Sequence, residues 1–232
     1  RLYFTMKEIK GVPFEQAITD FHNSNRKSQS SMLSFRRLMN SFRGVCNAIA
    51  YAHSNGVIHR DIKPENILLG EYGEVIVVDW GIAKVLGKKD CHLESDIDIQ
   101  TNRSRSNINA TRLGQVAGTP TYMSPEQARG EIDKLDQKTD IYALGVVLYE
   151  ILYGQPPYNG KDEFEVLEKV LSDEPIQFNK NSIKSSFPIP NEILTACKKS
   201  MSRNPDARFN SVDELSKVIS DWLNGAKKRE QA

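Results

Sequence analysis

The spacing of apolar side chains along the chain predicts helices at its beginning. Between residues 32 and 53 apolar residues recur every three or four positions, which predicts a long amphipathic helix with one buried face. A shorter helix is predicted from Pro13 to about His22. The polar, serine-rich residues 23–31 between the two are predicted to form a loop.

Short runs of β-branched and other apolar residues follow the long helix. They are bounded by polar residues and glycines, which predicts strands at 57–58, 67–69 and 75–78. A further strand is predicted at 2–6. Residues 82–116 show no hydrophobic period, and we expect a long exposed loop there.

The remainder of the chain is predicted to be helical. Residues 140–153 are strongly apolar and are expected to form the central helix, and 225–232 are polar with good helix formers. Other helices are predicted near 161–171, 191–201 and 211–223. The elements together predict a mainly helical α+β fold with a few short strands in its middle.

Composition and charge exclude several functional classes. The 232 residues are 39% hydrophobic and 26% charged, as in ordinary globular proteins. With 31 basic and 30 acidic residues the net charge is +1, so we expect neither nucleic acid nor a membrane surface as a partner. Three widely spaced cysteines predict neither a disulfide framework nor a zinc site. No secretory leader or membrane span is visible, and we expect a cytoplasmic location; the alternative is a parent protein with a membrane span outside these residues.

The candidate chemistry lies in a series of short motifs. Residues 59–66 (HRDIKPEN) resemble the catalytic loop of the protein kinases, H-R-D-x-K-P-x-N, and 79–81 (DWG) stand in the place of D-F-G. Residues 118–126 (GTPTYMSPE) resemble the end of the activation segment. Asp140 matches the start of the family's central helix, and Arg208 matches an arginine that closes the domain. The order and spacing agree along nearly the whole chain, which therefore resembles bacterial-type serine/threonine kinases.

The resemblance implies roles for the residues of the catalytic loop. Asp61 would hold the substrate hydroxyl and accept its proton, and Lys63 would place positive charge near the transferred phosphoryl group. Asn66 and Asp79 offer oxygen ligands for the Mg²⁺ that accompanies ATP. Lys63 is typical of serine/threonine specificity, as is Thr119, which in the family supports Asp61 and Lys63.

Other matched residues are implied to have structural or regulatory roles. They are His59, Arg60, Trp80, Gly81, Thr119, Glu126, Asp140 and Arg208. We expect His59 to pack at the base of the catalytic loop, Asp140 to anchor the backbone of that loop, and Trp80 to be a core aromatic. Glu126 and Arg208 resemble the family's buried ion pair, in which loss of one partner would leave a buried charge.

The resemblance also places the nucleotide pocket. Met6, Glu8 and Ile9 fall at the hinge that would contact adenine, and Leu68 would form the apolar floor beneath the ring. The alternative for the hinge residues is simple packing of an edge strand.

The activation segment, 79–126, is the expected control element. Arg60 resembles the arginine that pairs with a phosphate on this segment. Gln115 stands where many family members carry the phosphate, so activation by phosphorylation is a hypothesis that rests on other residues. The candidate acceptors are Ser95, Thr101, Ser104, Ser106 and Thr111.

The resemblance implies a kinase-like C-terminal lobe with part of the family's fold outside these residues. Residues 1–12 are interpreted as the last small-lobe strand and the hinge, 13–224 as the large lobe, and 225–232 as the start of a helical linker. The sequence contains no G-x-G-x-x-G loop and no match to the family's strand lysine or helix glutamate. We therefore expect the chain alone to bind ATP poorly and to transfer phosphate slowly.

Two functions are considered. In the parent protein the implied activity is transfer of the ATP γ-phosphoryl group to Ser or Thr of protein substrates, including itself, in signal transduction. The alternative is a pseudokinase or truncated lobe that binds protein partners. The complete set of Asp61, Lys63, Asn66 and Asp79 favours the enzyme, because a pure scaffold does not need four polar groups at one point.

Overall fold

Helices make up most of the structure. The computed structural model describes residues 9–24, 28–86, 119–172, 176–178 and 188–231 of the protein. The helices in these residues are α1 (Phe14–Asn23), α2 (Ser28–Ser54), α3 (Pro125–Ala128), α4 (Gln137–Tyr153), α5 (Glu163–Leu171), α6 (Asn191–Ser200) and α7 (Val212–Gln231). Short strands lie before α3 in the chain, so the predicted helix-rich α+β class is confirmed.

The long helix α2 buries the apolar stripe that its sequence predicted. Its buried side chains are Phe35, Leu38, Met39, Phe42, Val45, Cys46 and Ile49. The helix begins at Ser28, so the predicted loop at 23–31 is wrong in its last four residues. The apolar pattern starts only at Met32, because the first turn of α2 precedes the residues that pack on the core.

Helix α4 is the centre of the core. Every residue from Thr139 to Tyr153 is buried, so the helix has no polar face. It begins where the Asp136 side chain accepts a hydrogen bond from the backbone N of Lys138 at 2.7 Å. A Cβ added at Gly145 would lie 2.7 Å from side-chain atoms of Met201 and Ser200, so this glycine allows α6 and the residue after it to touch α4.

The strands form two small antiparallel sheets. The strands are β1 (Val12–Pro13), β2 (Val57–Ile58), β3 (Ile67–Leu69), β4 (Val75–Val77) and β5 (Lys84–Val85). One sheet has the order β1-β3-β4 and the other pairs β2 with β5. The sequence predicted β2, β3 and β4 but missed β1 and β5, and β5 lies in the region predicted as loop. The predicted β2 consists of two β-branched residues, whereas β1 contains a proline and β5 a lysine, so neither missed strand has a comparable β-branched pair.

The loop at 59–66 joins the two sheets. It leaves β2, whose Ile58 pairs with Lys84 of β5, and enters β3, whose Leu68 pairs with Pro13 and Ile76. Both ends of the loop are therefore fixed by strand pairing.

The other sequence predictions concern membranes and thiols. Among the described helices none is long and apolar enough to cross a membrane. Cys46 and Cys197 are buried free thiols, and burial raises the pKa of both. Cys91 lies outside the described residues.

Candidate active site

The 59–66 loop is fixed to the first turn of α4 by Asp140. This carboxylate is 1% exposed; its Oδ2 accepts a hydrogen bond from the backbone N of His59 at 2.8 Å, and its Oδ1 accepts one from the backbone N of Arg60 at 2.9 Å. Arg60 has φ 68, in the left-handed region that costs a non-glycine residue about 1–2 kcal/mol. The two hydrogen bonds hold the chain in this unfavourable conformation.

Two further residues support this turn and were missed by the sequence analysis. The Nε2 of His53 donates a hydrogen bond to Oδ2 of Asp140 at 2.7 Å. The Nε2 of Gln127 donates to the carbonyl oxygen of Arg60 at 2.7 Å. The sequence could have indicated His53, because this residue follows Ile49 by four positions and so lies on the apolar face of α2. A polar side chain on that face needs a buried hydrogen-bond partner.

His59 links the loop to the segment that carries Asp79. Its ring is fully buried, its Nδ1 accepts a hydrogen bond from the backbone N of Asp61 at 3.2 Å, and its Nε2 lies 3.1 Å from the carbonyl oxygen of Val78. An acceptor at Nδ1 requires the proton at Nε2, which donates to the carbonyl. The ring therefore fixes the backbone of both segments.

The predicted catalytic residues converge on the carboxylate of Asp61. Its Oδ1 accepts a hydrogen bond from the backbone N of Thr119 at 2.9 Å, and its Oδ2 accepts one from Nδ2 of Asn66 at 3.2 Å. The Nζ of Lys63 lies 3.4 Å from the same Oδ2 and donates to Oγ1 of Thr119 at 2.7 Å. A 3₁₀ turn over Pro64–Asn66 bends the chain back, which brings Asn66 next to Asp61.

This cluster is sheltered but accessible. The side chain of Asp61 is 11% exposed and that of Lys63 is 21% exposed. A carboxylate fixed at both oxygens can accept a proton at a defined position, and the ammonium group beside it can stabilise negative charge.

The oxygen atoms of Asn66 and Asp79 suit a divalent metal ion. The amide nitrogen of Asn66 is used at Asp61, which leaves Oδ1 available, and the backbone carbonyl of Asn66 accepts a hydrogen bond from Val78, next to Asp79, at 2.9 Å. Within the described residues the Asp79 carboxylate has no hydrogen-bond partner. The same part of the chain contains no group of three or more His, Cys, Asp or Glu residues that could hold a metal. Two oxygen ligands fit Mg²⁺, which retains waters and binds substrate phosphates.

Trp80 is not a core residue, so that expectation is wrong. Its side chain is 37% exposed, its indole N–H donates to the carbonyl of Val77 at 3.0 Å, and its ring lies 4.4 Å from the ring of His59. These contacts hold the indole against His59 while part of the side chain stays exposed. At Gly81 an added Cβ would lie 3.2 Å from Oδ1 of Asp79, so glycine leaves room for this carboxylate.

Glu126 and Arg208 form a buried ion pair. Nη1 and Nη2 of Arg208 lie 2.7 and 2.8 Å from the two carboxylate oxygens of Glu126, and the residues are 2% and 4% exposed. Burial raises the pKa of Glu126, but the hydrogen bonds and charge of Arg208 outweigh it and the pKa is lowered overall. This pair connects α3 to the residues before α7.

Another buried carboxylate, Glu150 of α4, has no cation beside it among the described residues. It accepts a hydrogen bond from the Tyr122 hydroxyl at 2.7 Å, which connects the turn after Thr119 to α4. Burial raises the pKa of Glu150 to about 7, and the Tyr122 hydrogen bond opposes this shift only in part.

The remaining predicted residues are only partly described. Arg60 is 8% exposed and its Nε donates to the carbonyl of Ile82. Leu68 is half-buried in the middle strand of the larger sheet, and Ile9 is 44% exposed. Met6, Glu8, Ser95, Thr101, Ser104, Ser106 and Thr111 lie outside the described residues.

Comparison with known proteins identifies the family. The model of the protein kinase domain matches residues 1–223. The chain is similar to serine/threonine-protein kinase PknD of Chlamydia trachomatis serovar L2b (strain UCH-1/proctitis), with 33% identity over 229 residues, 97% of this chain and 24% of the relative. It is similar to PknD of Protochlamydia amoebophila (strain UWE25), with 34% identity over 227 residues, 96% of this chain and 22% of the relative. The chain thus spans about a quarter of the length of these relatives. It belongs to the protein kinase family and is similar to bacterial serine/threonine kinases.

Proposed function

We propose that the protein containing this chain transfers the γ-phosphoryl group of ATP to serine and threonine hydroxyls of protein substrates, and to its own. The observation that carries the proposal is the convergence of Lys63, Asn66 and Thr119 on the two oxygens of Asp61. Phosphoryl transfer needs positioning and charge stabilisation more than covalent chemistry, and this cluster supplies both.

Asp61 has the role of positioning the acceptor and accepting its proton. Its carboxylate is fixed by Thr119 and Asn66, so it can orient an incoming hydroxyl by a hydrogen bond and take the proton as the oxygen bonds to phosphorus. Lys63 is held by the Thr119 hydroxyl and stabilises the negative charge on the transferred group. The Lys63–Thr119 contact also supports specificity for serine and threonine, which agrees with the names of the relatives.

Asn66 and Asp79 would hold the divalent cation, which we propose to be Mg²⁺. The cation neutralises phosphate charge when ATP is bound. Their role in this chain is to offer oxygen atoms that no other described residue uses.

We propose the same domain organisation as the family. Residues 1–12 would be the hinge with the last strand of the small lobe, 13–224 the large lobe, and 225–232 a helical linker. Met6, Glu8, Ile9 and Leu68 would contact adenine. The protein would act in the cytoplasm.

Control would act through the activation segment, 79–126. Phosphorylation at Ser104, Ser106 or Thr111 would regulate activity through Arg60. The 232 residues alone would transfer phosphate slowly, because their sequence has no G-x-G-x-x-G loop to cover the nucleotide phosphates.

The test is transfer from labelled ATP to a generic protein substrate by the full-length protein with Mg²⁺. Asp61→Asn should lower the rate by about 10²–10⁴-fold, and acid hydrolysis of the wild-type product should give phosphoserine and phosphothreonine. Asp133→Asn makes the same chemical change at an exposed carboxylate and should leave the rate unchanged. Full activity of Asp61→Asn would refute the catalytic role. No transfer by the wild-type protein would favour the protein-binding pseudokinase instead.

A further inference from the structure

A basic groove lies between α2, the turn that joins β3 to β4, and the end of α7. Its volume is about 670 Å³. We call it the arginine groove, after its principal lining residues Arg36, Arg37, Asn40 and Arg43 on α2, which face Glu71 and Leu223. None of these residues contributes to the site around Asp61, so the groove is a separate surface.

The walls of the groove are held by close packing. A Cβ added at Gly44 would lie 2.8 Å from Val75, so α2 touches β4 beside the groove. On the other side Phe35 of α2 and Trp222 of α7 pack edge to face, with ring centroids 5.4 Å apart. A surface supported by packed helices and a strand keeps its shape and can present its charges in fixed positions.

The described residues that line the groove carry more positive than negative charge. Arg37 is exposed and Arg43 is half-buried, and neither forms an ion pair with any described residue. The Nη2 of Arg43 donates to Oδ1 of Asn40 at 2.9 Å, which orients its guanidinium group. Glu71 is the only acidic residue among those that line the groove in the described part of the chain. Arginine side chains with free donors bind carboxylates through paired hydrogen bonds.

The length of the groove fits an extended peptide. Leu33 and Arg43 also lie along its α2 wall, and ten helical residues span about 15 Å at 1.5 Å per residue. An extended chain advances about 3.3 Å per residue, so four or five steps, or five or six residues, would fill this length. The step from Arg37 to Arg43 is about 9 Å along the helix, which is close to the spacing of acidic residues three positions apart in an extended chain. Leu33 is 51% exposed and offers an apolar contact at one end.

We infer that the arginine groove docks an extended acidic segment of a partner protein. The segment has an apolar residue near Leu33 and two acidic residues, three positions apart, that face Arg37 and then Arg43. A small anion would contact only part of the length of the arginine groove. The inference does not depend on phosphoryl transfer, because it concerns binding alone.

Binding is measured with the full-length protein by fluorescence anisotropy of a labelled peptide, Leu-Ala-Glu-Ala-Ala-Glu, at physiological salt. Replacement of both Glu by Gln in the peptide should weaken binding at least tenfold. The isomer Leu-Ala-Glu-Glu-Ala-Ala, with the same charge but adjacent acids, should bind several-fold more weakly. Equal binding of the Gln peptide would overturn the proposal.

Variants of the protein separate the groove from general electrostatic attraction. Arg37→Gln/Arg43→Gln should weaken binding at least tenfold. Lys134→Gln/Lys217→Gln removes the same charge from side chains that are 71% and 74% exposed elsewhere, and should change binding less than twofold. An equal loss in both double variants would overturn the proposal. If the arginine double variant does not fold, Arg37→Gln alone should weaken binding about threefold, and no change would count against the groove.

A small anion is tested with inorganic tripolyphosphate. Binding of tripolyphosphate that is lost in the arginine variant, with no binding of the acidic peptide, would show a small-anion site and overturn the docking proposal.

Discussion

Two groups of charged side chains in this protein are arranged in opposite ways. Arg208 and Glu126 are almost fully buried, and both carboxylate oxygens meet guanidinium nitrogens at 2.7 and 2.8 Å. Around Asp61 the nearest ammonium group is 3.4 Å away and the side chains are partly exposed. The side-chain oxygen atoms of Asn66 and Asp79 in this group have no hydrogen-bond partner among the described residues.

The difference separates a structural pair from a reactive group. The Glu126–Arg208 pair uses the hydrogen-bonding capacity of its carboxylate within the protein, so little remains for a ligand. The Asp61 group retains free oxygen atoms and access to solvent, which substrate and metal require. The candidate active site is therefore distinguished by oxygen atoms that can still accept hydrogen bonds or bind a metal ion, rather than by its number of charges.

The largest expected effect is on the buried pair. Arg208→Met leaves the Glu126 carboxylate buried without a cation, so we expect the free energy of unfolding to fall by about 3–5 kcal/mol, measured by urea denaturation. Adding Glu126→Gln should restore part of that loss because the stranded charge is removed. The rate of phosphoryl transfer per folded molecule should change little. A large loss of activity in a still-folded Arg208→Met protein would break the comparison.

A second effect comes from Glu150, which is buried as Glu126 is but has no cation beside it in the part of the chain that the structure describes. Its pKa of about 7 in the folded protein, against 4.5 for an ordinary glutamate, favours the protonated form in the folded state. The contribution of protonated Glu150 to the free energy of unfolding is therefore complete below pH 4.5 and is lost as the pH rises through about 7. Relative to Glu150→Gln, the wild type should lose about 3 kcal/mol of unfolding free energy between pH 4 and pH 8.

Denaturant titrations of both proteins at several pH values measure this difference. Glu165→Gln is the control, because that carboxylate is at the surface and its pKa is lowered rather than raised. Parallel pH profiles for the wild type and Glu150→Gln would contradict the prediction.

The smallest expected effect comes from replacing one threonine in each region by valine. The same chemical change then tests the group around Asp61 against the Glu126–Arg208 pair. Thr119→Val removes the hydroxyl that accepts from Lys63, and Thr139→Val removes the hydroxyl that donates to Glu126 Oε1 at 3.3 Å. Each lost hydrogen bond is worth about 1 kcal/mol. We expect Thr119→Val to lower kcat/KM about fivefold with little change in stability, and Thr139→Val to lower stability by about 1 kcal/mol with unchanged kcat/KM. The same profile for both variants would remove the distinction between the two regions.

The sequence predicted those parts of the fold that depend on local pattern. Helix α2 has an apolar period over most of its length, and α4 is apolar throughout, so both were found close to their observed bounds. The grouping of Asp61, Lys63 and Asn66 also follows from local sequence, since a turn of three residues connects them.

Features that depend on distant residues were not predicted. Strand β5 exists because Lys84 pairs with Ile58, and nothing in its two residues signals that partner. The support of Asp140 by His53 joins residues 87 positions apart. Trp80 was expected in the core because of its type, but its position depends on contacts with His59 and Val77.

The all-round burial of α4 has a consequence for synthesis of the protein. A helix without a polar face emerges from the ribosome before α6 and α7, which end at Gln231, about 80 residues later. At 5–20 residues per second this interval lasts roughly 4–16 s. During that time the face of α4 that α6 later covers is exposed to chaperones or aggregation, and the helix that carries Asp140 is packed only by earlier parts of the chain such as α2. We therefore expect the loop at 59–66 to be held firmly only once α6 and α7 have been synthesised and have packed on the core.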